Sequence, residues 1–143
     1  MPSLRNAFAS DAARLAELSR QLGYPSTEAE IASRLAGLLT NDDHAVFVVE
    51  EDGEVAAWIQ VSLSRLVESP LSAEVGGLVV DESHRRRGFG PLLLGAGDAW
   101  AKERGASRMR VPCNVVRADA HRFYEREGFR EVKRQRIFER AIG

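Results

Sequence analysis

The chain of 143 residues holds one cysteine, Cys113, so no disulfide can form within it. That suits a reducing compartment. Its three histidines, His44, His84 and His121, stand far apart without metal-ligand spacing, and no metal is expected. Aromatic residues make up only 7% and the net charge is −1. A nucleic-acid-binding surface needs interleaved aromatics and a strong basic excess, so that class is set aside. No apolar run is long enough to span a bilayer, and no membrane partner is expected. The opening residues, MPSLRNAFASDAARL, lack an apolar core and meet an acid early. They do not read as a signal peptide, and a cytoplasmic location is expected. Repeats, low-complexity tracts and linkers are missing too, so residues 1–143 are read as one domain.

What is present is a 44% apolar share with charges of both signs, the composition of a folded globular protein. The charges are unevenly spread. Residues 1–72 hold 5 basic and 11 acidic side chains, a balance of −6, and residues 73–143 hold 15 basic and 10 acidic, a balance of +5. The asymmetry suits an anionic ligand on the second half and a cationic one near the first, although solvated helix faces would give the same count.

The order of elements follows from caps and periodicity. Ser3 to Ala7 forms a short strand. Asp11 or Ser10 caps a helix through Leu22, with Leu15, Leu18 and Leu22 on one stripe, and Gly23 ends it. Thr27 and Glu30 have capping-box spacing for a second helix to about Leu39. His44 to Glu50 and Val55 to Leu63 are strands joined at Asp52-Gly53. Glu74 to Val80 is another strand. Pro91 lies in the first turn of a helix that runs to Arg104. Arg108 to Pro112 is a strand, Ala118 to Glu127 a helix, and Phe129 to Val132 with Arg136 to Glu139 a terminal strand pair. An antiparallel hairpin followed by a β-α-β-α-β run predicts an α/β (α+β) domain, one mixed sheet with helices on both faces.

The stretch from Leu78 to Gly90, LVVDESHRRRGFG, carries the chemistry. A strand ends, a glycine-rich turn follows and a helix begins. Gly88 and Gly90 lack Cβ atoms, so backbone N–H groups can converge on one point. The helix start adds unpaired donors and the positive end of its dipole. Arg85, Arg86 and Arg87 surround the turn with charge. Together these suit a phosphate or diphosphate. Two other phosphate loops are excluded. A dinucleotide fingerprint needs glycine where Leu93 stands, and a Walker loop needs Gly-Lys-Ser or Gly-Lys-Thr, which the chain lacks.

Arg85-x-x-Gly88-x-Gly90 resembles the Q/R-x-x-G-x-G/A signature of the GNAT superfamily of acetyl-CoA-dependent N-acetyltransferases. Leu78-Val79-Val80 resembles that family's fourth strand, and Leu92-Leu93-Leu94 its following helix. Downstream, RADAHRFYEREGF from Arg117 to Phe129 resembles a second family motif, a helix bearing a tyrosine four residues before Gly-Phe. The matched region runs from about Ala73 to Val132. The resemblance implies a mostly antiparallel central sheet in which two splayed strands hold acetyl-CoA. The diphosphate would rest on backbone N–H groups from Arg86 through Phe89 to Gly90. The pantetheine arm would lie along Leu78, Val79 and Val80 as an added strand, which requires the neighbouring strand to part near Pro112. The N–H of Leu78 would stabilise the oxyanion. Many members carry asparagine where Arg117 stands, while Asn114 lies three residues earlier. Both are candidates to hold pantetheine, and Arg117 is equally a candidate to meet a phosphate.

The implied reaction is attack of an amine on a thioester. A lysine-like amine titrates near 10.4, so freeing its lone pair at pH 7 costs about 4.6 kcal/mol, and a base is useful. Glu74 matches the glutamate base of the histone-acetylating branch. It lies four residues from Leu78, about 13 Å along a strand, so it would act through water; a solvated strand face is the plain alternative. Tyr124 matches the usual acid that meets the departing sulfur, while its apolar stripe with Ala120 and Phe123 also suits simple packing. Tyr24, between two helices, is a candidate acceptor contact, and Trp58, on the hairpin's return strand, suits either the core or the wall of the acceptor pocket. Asp42, Asp43, Glu50, Glu51 and Glu68 could draw in a cationic amine. The expected acceptor is thus small and cationic, aminoglycoside-like or polyamine-like. A protein lysine or N-terminal acceptor and a non-catalytic acyl-CoA sensor are the alternatives. Terminal strands could also join two copies as a homodimer.

Overall fold

The computed structural model describes all residues, Met1–Gly143, in two compact units, Met1–Pro112 and Cys113–Gly143. In the first, five strands lie in chain order: β1 (Ser3–Asn6), β2 (His44–Glu51), β3 (Glu54–Ser64), β4 (Ser72–Val80) and β5 (Met109–Arg110). Strands β1 to β4 pair antiparallel, and β5 joins β4 in parallel. Helices α1 (Ala12–Leu22) and α2 (Glu28–Leu39) cover one face of this sheet, and α3 (Phe89–Glu103) the other.

Local sequence explains most of these elements. Asp52 and Gly53 both have positive φ, +53° and +79°, the twist that lets a two-residue turn join β2 to β3. Thr27 Oγ1 accepts the Glu30 N–H while Glu30 accepts the Thr27 N–H, so the capping box starts α2 as expected. Gly23 adopts φ +97° and closes α1. At the start of α1 the detail differs. Asp11 makes no side-chain cap; its carboxylate accepts instead from the Phe8 N–H and from Arg5. Those partners precede the helix, so Asp11 fastens the β1–α1 corner.

The core has two layers. Leu15, Leu18 and Leu35 meet Val46, Val48, Val55 and Val79 beneath α1 and α2, with Trp58 packed alongside. On the opposite face Ile59, Val61 and Leu93 are enclosed, and Gly97 lets α3 approach closely: a Cβ there would lie 3.1 Å from Val61 and 3.3 Å from Met109.

Two regions depart from expectation. Strand β5 is two residues long, shorter than the Arg108 to Pro112 span. The terminal strands at 129–132 and 136–139 do not form. In the second unit, α4 (Ala118–Arg126) is followed by residues 130–143, which have no regular structure and are exposed throughout. Val132, Ile137 and Phe138 are of strand-forming types, but a strand also needs a partner for its N–H and C=O groups. The last turn bond in this unit is Phe129 N–H to Tyr124 C=O.

Candidate active site

The β4–α3 turn builds its donors from backbone shape. Arg86 has φ +66° and Gly88 φ +80°, two left-handed residues within three positions. Alternation of this kind curls successive N–H groups toward a common concavity, a nest for an anion. Gly88 pays no steric cost for it. Arg86 does, by roughly 1–2 kcal/mol, so the turn stores strain where the anion would sit. Gly88 is also the N-cap of α3, which begins at Phe89, two residues before Pro91. The free N–H groups of the first helical turn therefore lie at the same place.

The three arginines are not equivalent. Arg87 is bound by Glu51 and lies over the Phe89 ring, 5.3 Å from its centroid. Arg85 and Arg86 are exposed and make no ion pair within 4 Å. Two guanidinium groups are thus available to a phosphate, and the third is neutralised by a carboxylate 36 positions away in sequence. That pairing also removes Glu51 from the acids expected to draw in an amine. Asp43 is occupied by Arg65, and Glu50 by Arg5.

Strand β4 offers the edge that an extended ligand arm requires. Its pairing with β5 is confined to Ala73↔Met109 and Glu74↔Arg110. From Val75 to Val80 this side has no strand partner, and Pro112 cannot extend the ladder. Leu78, Val79 and Val80 all lie in that open length.

A bulge in β4 sets which residues share a face. Gln60 pairs with Gly77 but Val61 pairs with Val75, so Gly76 is surplus. Strict alternation would put Glu74 and Leu78 on one face. With the extra residue Leu78 lies opposite Ile59, on the α3 side, and Glu74 opposite Ser62, on the α1–α2 side. A polar row results across four strands: His44, Ser62, Glu74 and Arg110 are successive cross-strand neighbours. Each is half-buried. One register step away stand Val46, Gln60 and Gly77, and beyond them the apolar row of Val48, Trp58 and Val79. The Trp58 indole reaches across Gly77, where a Cβ would lie 2.8 Å from Cη2, and its Nε1 has no hydrogen-bond partner. Sequence reading found Glu74 and Trp58 but missed Gln60, Ser62 and Arg110. The available signal was Gly76-Gly77 inside a strand, which marks bulges.

Tyr24 is 66% exposed, just after the α1 cap. Trp100 is core, with Arg104 over its ring.

In the second unit, Asn114 starts the turn before α4. Its Oδ1 accepts the Val116 N–H, and its C=O accepts from the Arg117 N–H and from His121 Nε2. The amide oxygen is thereby committed to the turn, whereas Arg117 is exposed and unpaired. Tyr124 is half-buried, with Phe123 and Phe129 edge-on to its ring. Burial, reinforced by Cys113 and opposed by Arg117, pushes its hydroxyl up to about 12. The group stays a neutral O–H donor at any physiological pH. Full proton transfer to a thiolate, whose thiol titrates near 8.5, would be uphill by several kcal/mol, so a hydrogen bond suits it better.

No three His, Cys, Asp or Glu side chains gather where they could hold a metal, and no helix is long and apolar enough to cross a membrane.

Comparison with known proteins agrees with this geometry. The acetyltransferase (GNAT) family profile matches residues 11–129. An aminoglycoside N(6′)-acetyltransferase type 1 of Stenotrophomonas maltophilia is 30% identical over 93% of this chain and 89% of its own length. One of Klebsiella aerogenes is 27% identical over 80% and 78%. Among solved structures, an aminoglycoside 6′-N-acetyltransferase of Acinetobacter baumannii superposes with a TM-score of 0.88 at 20% identity, over all of both chains. A nest at a strand-to-helix junction, an open edge on β4 and a profile match across both units lead to one conclusion: the chain belongs to the GNAT family and is an acetyl-CoA-dependent acyltransferase.

Proposed function

We propose that the whole chain acts as one domain that acetylates a primary amine of a small, cationic acceptor, an aminoglycoside-like or polyamine-like molecule, with both substrates bound together. The observation that carries the reading is the β4–α3 turn, whose left-handed Arg86 and Gly88 converge N–H donors beside the unpaired length of β4. The names of the relatives and the polar row through Glu74 favour a small hydroxylated amine.

Acetyl-CoA supplies an activated thioester. The N–H groups from Arg86 to Gly90 hold its diphosphate, with Arg85 and Arg86 adding charge. Leu78, Val79 and Val80 bind the pantetheine arm, and the Leu78 N–H donates to the thioester oxygen as charge grows there. Glu74 takes the amine proton through water, because its side chain lies on the other face of β4 from that of Leu78. Trp58 and Tyr24 line the acceptor side. Tyr124 donates a hydrogen bond to the departing sulfur, and Arg117 rather than Asn114 meets the cofactor, since the Asn114 amide oxygen is already engaged.

The test is thiol release by the purified chain with acetyl-CoA across a panel of aminoglycosides, spermidine, glucosamine 6-phosphate and lysine peptides. The reading expects release with multiply charged amino sugars or polyamines and none with peptides. Tight coenzyme binding without release from any amine would establish a sensor instead.

A further inference from the structure

Between α1 and the phosphate turn lies a hydrogen-bonded cluster that the reaction above does not use. Asp81 follows the last residue of β4, and its N–H donates to the Ala56 C=O at 2.8 Å. Its carboxylate is the hub. Ser83 Oγ donates to Oδ2 at 3.1 Å, and His84 Nδ1 lies 3.2 Å from the same atom. Those contacts are local to the turn. Two others come from α1: Arg14 donates to Oδ2 at 3.3 Å, and Gln21 Nε2 to Oδ1 at 3.2 Å. Arg14 and Gln21 are seven residues apart, two helical turns, and so share one stripe of α1. Burial alone would push the Asp81 carboxyl up, but hydrogen bonds from Gln21, Ser83 and Arg14 outweigh it and hold the group at about 2. Asp81 is therefore a permanent anion with fixed donors.

Gln21 is the unusual member. Its Nε2 serves Asp81 while its Oε1 accepts the Glu82 N–H at 3.0 Å, so one side-chain amide spans two successive residues of the turn. This pairing mimics a backbone ladder and fixes orientation as well as distance. Gln21 also stands two residues before Gly23, whose left-handed backbone launches the loop bearing Tyr24. The Tyr24 N–H returns to the Ser19 C=O, so that loop begins rigidly from the same helical turn as Gln21.

We infer that Gln21 is a positioning residue: through Asp81 and Glu82 it locks the loop after α1 to the turn that receives the diphosphate, so that filling one side orders the other. The inference rests on the acyl-transfer reading for the identity of the two ligands. It adds a coupling between them that runs through one amide. By linkage, whatever acetyl-CoA does for amine affinity the amine does for acetyl-CoA, and both are lost together when the lock is removed.

The test is Gln21→Leu, which keeps volume and helix propensity but removes both bonds. Calorimetry gives amine affinity with and without CoA, steady-state kinetics give each KM, and thermal melting reports stability. Losing two hydrogen bonds is expected to raise the acetyl-CoA KM about tenfold. The factor by which CoA changes amine affinity falls toward one, while Tm drops by no more than about 5 °C. Hydrogen exchange on the unliganded protein provides an arm independent of activity: the Glu82 amide loses its acceptor and exchanges faster. A merely structural glutamine would lower Tm and leave the coupling factor intact, and that result overturns the proposal. Unchanged Glu82 exchange in the variant overturns it as well. If the wild-type chain binds no acetyl-CoA, the acyl-transfer reading fails, and exchange at Glu82 still decides whether the lock exists.

Discussion

The β4–α3 turn and the α4 segment each carry half of the family signature, and they are built in opposite ways. In the turn the proposed working atoms are main-chain N–H groups, shaped by Arg86 and Gly88 and braced from other elements by Gln21, which holds Asp81, and by Glu51, which holds Arg87. In α4 the proposed working atom is one hydroxyl, on a helix with no fully buried residue, flanked by two neighbouring rings. A site made of backbone is vulnerable to conformation and tolerant of side-chain exchange. A site made of one side chain is the reverse.

Gly88→Val presses hardest on that contrast. Nothing lies within 4 Å of the Cβ position, so crowding is not the issue. The cost is a β-branched residue at φ +80°, of order 2 kcal/mol or more, or else a turn that abandons the nest. Acetyl-CoA affinity measured by calorimetry should fall about thirty-fold or more. Undiminished binding removes the basis of the assignment.

Tyr124→Phe tests the other half and should leave that binding nearly intact. Loss of a hydrogen bond to sulfur predicts a kcat lower by about tenfold with little change in KM for acetyl-CoA. The hydroxyl stays protonated up to about 12, so the rate should show no limb from this group below pH 10. Its folded value is raised above the unfolded one near 10. The stability linked to the neutral form is therefore complete below about pH 10 and lost as pH rises toward 12.

Glu74→Gln distinguishes proton removal from binding. At pH 7 kcat should fall about fivefold, and the deficit should shrink toward pH 9.5, where more amine is already unprotonated. A constant deficit across that range assigns Glu74 to binding alone.

The smallest effects separate charge from shape within the turn. Arg85→Ala and Arg86→Ala should each raise the acetyl-CoA KM about threefold, and less at high salt. Arg87→Ala should matter less to the coenzyme, because Glu51 already holds that charge. Arg86→Gly should bind better than Arg86→Ala, since glycine keeps the left-handed backbone without strain.

What could be read from the chain beforehand was local. Thr27 with Glu30, Asp52-Gly53, Gly23 and the Arg85 to Gly90 turn act over a few residues, and each formed as expected. What escaped depends on distant partners. Glu51 binds Arg87, and Arg14 binds Asp81, 67 positions apart. No spacing rule announces such pairs. The terminal strands failed for a related reason: β-branched and aromatic residues favour extended backbone, while a strand exists only if another strand supplies its hydrogen bonds.

Gly76 has a consequence for how this protein can be altered. Drawing that one residue into the ladder, so that Val61 met Gly76 in place of Val75, would rotate everything upstream in β4 by half a turn. Glu74 would be driven into the apolar layer beneath α3, and Val75 would emerge among hydrophilic neighbours. Which residue stays out of the pairing is therefore as decisive as residue identity. Swapping this segment with that of a relative should preserve the surplus position before any attention is given to side chains.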